Sequence, residues 1–208
     1  SAYVSGADFD LRESVIHFRG ERVLAMADTQ LRGVHNAENL MAALGVGFVR
    51  GLSFAEMLPA LCEYKPLPHR CELVRTLDRV DYINDSKGTN PDSVEKALMS
   101  ETRPVVLIAG GKDKGFEYDM LTELVVQKCR AVVVLGEMAD RIETLWKDRV
   151  PVVNTGWSLE QAVQRAHGLA QAGDVVLFSP GTSSFDMFKN YADRGNQFRG
   201  FVHALTAQ

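Results

Sequence analysis

Three short runs gather most of the side chains in this sequence that could hold an anion or act on one. The first, residues 82–90, reads YINDSKGTN. Asn90, Thr89 or Ser93 as an N-cap, with Pro91 in the first turn, accounts for the start of the helix that follows. Capping does not account for Asp85 and Lys87 two positions apart ahead of it, so Asp85, Lys87 and Thr89 are read as ligand contacts. The second run, GGKDKGFEYD at 110–119, joins two glycines that let a ligand approach the backbone to two cations, Lys112 and Lys114. The third, SPGTSSFDMFKN at 179–190, stacks Thr182, Ser183 and Ser184 where a helix N-terminus is expected, so that hydroxyls and backbone N–H groups face an anion. Phe185, Phe188 and Tyr191 recur at helical spacing, which puts two of the three in the core.

The same runs exclude other chemistries. No Gly-x-x-x-x-Gly-Lys-Ser/Thr phosphate loop and no Gly-x-Gly-x-x-Gly dinucleotide turn occurs in the chain. There is no Gly-x-Ser-x-Gly elbow, and none of the five histidines lies in these runs, which argues against a nucleophilic triad.

Strands have to carry the runs. VDYIN, PVVLIAG, AVVVLG and DVVLFS, with a shorter VPVVN before a helix over 158–172, are the β-branched stretches of strands buried on both faces. The fold class is α/β, a Rossmann-like, mostly parallel sheet covered by helices and preceded by a hairpin from Cys71 onward. In such sheets ligands sit beyond the carboxyl ends of the strands, and all three runs follow a strand, so they are expected on one edge. The first third is a partial α/β appendage. SVIHFRG and ERVLAMA read as two strands joined at Arg19–Gly20–Glu21. NAENLMAALGVGFVRG follows as a helix with Leu40, Ala43, Leu44 and Gly47 on one face, and SFAE opens a second helix with Ser53 and Glu56 as a capping box. Two prolines in KPLPHR place a domain boundary there, giving domains 1–67 and 68–208.

The 208 residues are 46% hydrophobic and carry a net charge of −4, which gives no basic field for nucleic acid or an anionic membrane. No apolar run is long enough for a membrane span, and SAYVSGADFD lacks the features of a signal peptide, so a cytoplasmic protein is expected. Cys62, Cys71 and Cys129 show no zinc or disulfide spacing and read as small core residues.

INDSKGTNPDSVEKAL, GGKDKG and SFDMFKNYADRGNQF, together with HNAENLMAAL and PHR upstream, resemble the Mur ligase family over nearly the whole chain. The sequence departs from that pattern at SPGTSS and at Gly88, and neither departure removes Ser184. The resemblance implies a piece of a three-domain, ATP- and Mg²⁺-dependent ligase. Its residues 1–67 would end the central ATP-binding domain, and residues 68–208 would bind an amino acid. It implies D-glutamate, ATP and UDP-N-acetylmuramoyl-L-alanine as substrates in peptidoglycan synthesis, and so a role in cell shape and division. It implies Asn36, Asn39, Arg70 and Asp85 at ATP. Thr89, Lys114, Ser184, Phe185 and Tyr191 would sit at D-glutamate, and Lys87 would be the catalytic lysine near the phosphoryl group. The magnesium ligands and phosphate loop would lie outside this chain. A ligase of the folylpolyglutamate synthase type and a non-catalytic anion-binding module are the alternatives.

Overall fold

The computed structural model describes residues 7–31, 33–65 and 67–207. Residues 1–6 of the segment read for a signal peptide, and Pro66 of the boundary run, lie outside the described residues. The chain divides into two compact units, Ser1–Pro66 and Leu67–Gln208.

In the first unit, β1 (Phe9–Arg12), β2 (Val15–Phe18) and β3 (Glu21–Ala25) form an antiparallel sheet in that order, followed by helices α1 (Val34–Val49) and α2 (Phe54–Glu63). Strand β1 is absent from the sequence reading. Its turn is built by Glu13 and Ser14, both at positive φ (47° and 62°), where a glycine or asparagine would have signalled a hairpin. Ser53 and Glu56 form the expected capping box: Ser53 N–H donates to Glu56 Oε2 at 2.8 Å, and Glu56 N–H to Ser53 Oγ at 3.4 Å. The buried seam of α1 is Ala37, Leu40, Met41 and Leu44, with Gly47 also buried. Ala43, expected on that face, is exposed. Apolar residues run unbroken from Leu40 to Val49, so periodicity alone left the rotation of the stripe undecided.

In the second unit, β4 (Glu72–Leu77) pairs antiparallel with β5 (Val80–Asn84). Strands β6 (Val105–Gly110), β7 (Cys129–Leu135), β8 (Val152–Asn154) and β9 (Val175–Phe178) complete a sheet of order β4-β5-β9-β6-β7-β8, parallel from β5 onward. The continuous apolar runs serve two faces at once. Leu107, Val132, Val134 and Leu177 pack one way, under α3 (Pro91–Ser100), α4 (Thr122–Lys128) and α5 (Ala139–Trp146). Val106, Ile108, Val133, Val176 and Phe178 pack the other way, under α6 (Leu159–Leu169) and α7 (Tyr191–Ala204). Cys129 is buried and Cys62 and Cys71 half-buried, all as free thiols. None of the described helices is long and apolar enough to cross a membrane.

The last strand, β9, enters between β5 and β6. The segments leaving β5, β9 and β6 are therefore neighbours at one sheet edge, although nearly a hundred residues separate the first from the last in the chain. Close approach at this edge depends on Gly110, whose φ of 115° and position against the Leu135 carbonyl leave no room for a Cβ. Gly200, in α7, has open space around it. Gly110→Ala is expected to lower unfolding stability by roughly 2–4 kcal/mol through backbone strain and overlap. Gly200→Ala should raise it by about 0.5–1 kcal/mol through helix propensity. Urea denaturation of both variants checks the opposite signs.

Candidate active site

The run after β5 makes a tight turn, with Gly88 N–H donating to the Asp85 carbonyl at 2.7 Å, before Asn90 caps α3 by accepting from Ser93 N–H at 2.9 Å. Capping is thus the work of Asn90, and it leaves Lys87 and Thr89 half-exposed at the sheet edge. The run after β6 bends back, and its Lys112 N–H donates to the Ser183 carbonyl at 3.0 Å. The Thr182 hydroxyl returns a short bond to the Lys112 carbonyl. Gly181 N–H reaches the Gly88 carbonyl at 2.9 Å, so the run after β9 is stitched to both of the others. Thr89, Lys112 and Ser184 are each within one residue of these stitches.

The reading of Thr182, Ser183 and Ser184 as a helix N-terminus is incorrect. Residues 179–190 are irregular, with only a turn where Phe188 N–H donates to the Ser184 carbonyl at 2.8 Å, and α7 begins at Tyr191, capped by Asn190. The Thr182 and Ser183 carbonyls are taken by tertiary donors and are not free to start a helix. The aromatic residues follow from this. Phe188 packs on the core, whereas Phe185 is 71% and Tyr191 38% exposed, one core aromatic in place of the expected two. Ser184 is buried and Phe185 opens to solvent.

The two lysines of the second run separate in role. Lys112 Nζ lies 2.6 Å from Glu137 Oε2, a pairing that raises the lysine's pKa and lowers the glutamate's. Lys114 is exposed, its ammonium 5.2 Å from the Phe116 ring centroid, and no ion pair holds it among the described residues. Lys87 carries its ammonium 4.6 Å from the Tyr191 ring centroid. That contact fixes a cation at the edge without neutralising it.

Asp85 is 4% exposed. Its Oδ2 accepts from the Ser179 hydroxyl at 2.7 Å and its Oδ1 from Cys71 N–H at 3.2 Å. Burial outweighs these bonds and raises its pKa to about 6. Arg70, one residue before Cys71, is exposed. The adjoining His69 is buried, and its Nδ1 accepts from the Asn84 amide at 2.9 Å. Asn84 also donates to the Gly195 carbonyl and accepts from Ser86 N–H, so its amide orientation is fixed and His69 is the neutral, Nε2-protonated tautomer. Its lowered pKa follows from burial and then from Arg199, against the pull of Glu72. Asn36 and Asn39 lie in the first unit on α1, where the Asn39 amide faces Asn36 Oδ1 at 3.4 Å.

Sequence reading overlooked Arg194. This side chain is 1% exposed and donates to Ser86 Oγ (3.0 Å), the Ser86 carbonyl (2.8 Å) and the Thr182 carbonyl (3.1 Å from both terminal nitrogens). Burial lowers its pKa to about 10, so the cation persists at neutral pH. Ser179 and Glu137 were overlooked as well, and neither stands in a pattern that marks it. Among the described residues no cluster of three or more His, Cys, Asp or Glu side chains is placed to hold a metal ion. The edge as built offers cations and hydroxyls, a set that can bind a small anion.

The Mur ligase, glutamate ligase domain family matches residues 69–181, more than half of the chain, and the chain belongs to that family. A UDP-N-acetylmuramoylalanine–D-glutamate ligase of Marinobacter nauticus is 46% identical over 188 residues, covering 89% of this chain. The chain spans 42% of that relative's length. Among solved structures, a UDP-N-acetylmuramate-alanine ligase of Thermotoga maritima superimposes with a TM-score of 0.69 at 17% identity, over 97% of this chain and 47% of its own. A folylpolyglutamate synthase of Mycobacterium tuberculosis gives 0.66 at 16%, over 98% and 49%. These two likenesses establish the shared α/β fold.

The raised pKa of Asp85 has a pH signature. Between the ordinary carboxylate pKa near 4 and its folded value of about 6, the folded chain holds a proton that the unfolded chain has lost. The stabilisation is complete below the unfolded pKa and is lost as pH rises through the folded one. Asp85→Asn should therefore raise stability by about 1–3 kcal/mol at pH 7.5 and change it little at pH 4, as read by urea unfolding at the two pH values.

Proposed function

We propose that this chain is the amino-acid-binding part of an ATP-dependent ligase that joins D-glutamate to UDP-N-acetylmuramoyl-L-alanine in peptidoglycan synthesis. The observation that carries the reading is the meeting of three anion-competent loops at one sheet edge, with Lys87 and Lys114 held there outside any ion pair among the described residues. The 46% identity to a ligase of that name supports D-glutamate as the amino acid.

In this reading ATP passes its γ-phosphoryl group to the substrate carboxylate, releasing ADP and giving an acyl phosphate, whose phosphate is a far better leaving group than oxide. The D-glutamate amine then attacks the carbonyl carbon, the amide forms and phosphate departs. The chain's own part is to bind and orient. Lys114 faces one carboxylate of D-glutamate, with the Thr89 and Ser184 hydroxyls and the main-chain N–H near Phe185 as further donors. Tyr191 packs alongside and keeps the Lys87 ammonium directed at the phosphoryl region. Arg70 and Asp85 serve the nucleotide. Magnesium would be held by the ATP phosphates and by parts of the enzyme beyond this chain, which alone would not turn over ATP. The reaction is assigned to the cytoplasm.

A charge-assisted hydrogen bond from an exposed lysine is worth about 1.5–3 kcal/mol, so in the full-length enzyme Lys114→Ala should raise the apparent constant for D-glutamate about ten- to a hundred-fold. Thr89→Ala should raise it roughly two- to ten-fold, and neither should move the ATP constant comparably. Steady-state kinetics with each substrate varied in turn decides the matter. Parallel losses for ATP and D-glutamate would remove the amino-acid assignment.

A further inference from the structure

Gly88 occupies a position whose backbone does not demand glycine, since its φ lies outside the positive range that marks Gly110, Gly111 and Gly181. What the position requires is space. A Cβ there would overlap Asp85 Oδ2 and stand 2.9 Å from Ser179 Oγ and 3.0 Å from the Asp85 carbonyl. The first two are side-chain ends that can move away, so the space is filled by the folded-back carboxylate of Asp85 and the hydroxyl that closes over it.

In this position Asp85 is turned away from solvent. Each oxygen accepts a hydrogen bond, one from the Ser179 hydroxyl and one from Cys71 N–H, and the residue is 4% exposed, while Arg70 stands in the open. We infer that Gly88 gives Asp85 a stowed position latched by Ser179, and that nucleotide binding must draw the carboxylate out of it, which makes Gly88 and Ser179 positioning residues for ATP affinity. The inference rests on the nucleotide role proposed above for Asp85. A ligand that binds only the drawn-out carboxylate has its affinity reduced by the fraction of molecules in which Asp85 is free. The cost of stowing is visible in the raised pKa of Asp85. Burial is its main cause, offset by the Ser179 and Cys71 bonds and by Arg70, and the Arg194 guanidinium also feels the Asp85 charge.

The test uses the full-length enzyme with Gly88→Ala, Ser179→Ala and Asp85→Asn. Carbon-13 NMR of the Asp85 carboxyl, without nucleotide, reads its position directly. In Gly88→Ala the titration midpoint should fall from about 6 toward the ordinary value near 4. The apparent constant for ATP should fall about three- to ten-fold in Gly88→Ala and in the same direction in Ser179→Ala, with D-glutamate unaffected. An unmoved midpoint in Gly88→Ala overturns the inference, as does an ATP constant that stays or rises in either variant. Asp85→Asn separates the two levels. If it leaves the ATP constant unchanged, the nucleotide role of Asp85 is wrong and the link to affinity falls with it, while the NMR arm still decides whether the stowed position exists.

Discussion

A buried guanidinium with no carboxylate hydrogen-bonded to it among the described residues ties the loops at this sheet edge together. Among the described residues Arg194 donates its hydrogen bonds to Ser86 and Thr182, through neutral oxygens, and it remains charged. Burying a cation is costly unless its donors are satisfied, and among the described residues the acceptors Arg194 uses belong to the loops leaving β5 and β9. The loops must therefore adopt the conformation that presents those oxygens. Because Thr182 also binds the Lys112 carbonyl, the loop leaving β6 is fixed by the same cation at one remove.

The division of labour among the charged residues follows from that frame. Lys112 is turned toward Glu137 and spent there, whereas Lys114 is left to solvent. Glu137 N–H is in turn held by Asp186 Oδ2 at 3.1 Å, which ties the turn after β7 to the loop after β9. Ser86 takes Arg194 on its hydroxyl and carbonyl and donates the same hydroxyl to the Tyr191 carbonyl at 2.8 Å, so the start of α7 is registered against the loop that carries Lys87. The Lys87–Tyr191 contact is a consequence of this registration. Rigid positioning of a few groups by a scaffold that binds nothing itself is what the proposed amino-acid-binding role would require.

Much of this was legible in the sequence. Strands buried on both faces announce themselves as β-branched runs, so β5, β6, β7 and β9 and the edge where their loops gather could be read directly. Ser53 with Glu56 and Asn90 with Pro91 are local signals, and local signals survive into the fold. Where formation depends on tertiary partners, reading failed. The Glu13–Ser14 turn carries no hairpin residue, and Thr182–Ser184 looks like a helix start until its carbonyls are seen to be taken from elsewhere in the chain. Arg194 sits in a helix among Asp193, Asn196 and Gln197, where a lone arginine resembles any solvated charge. The following Gly195 was a usable signal, because a side chain there would run into the His69 ring.

Arg194 holds three loops as one unit, and amide hydrogen exchange on Arg194→Lys is the measurement that decides it. Lysine keeps the charge and loses the planar fork that reaches Ser86 and Thr182 together. Gly88, Lys112 and Gly181, whose N–H groups close the loops, are expected to lose protection together in this variant while the β6 amides from Val106 to Ala109 keep theirs. Loss confined to the loop carrying Thr182, or no loss in any of the three, would contradict it.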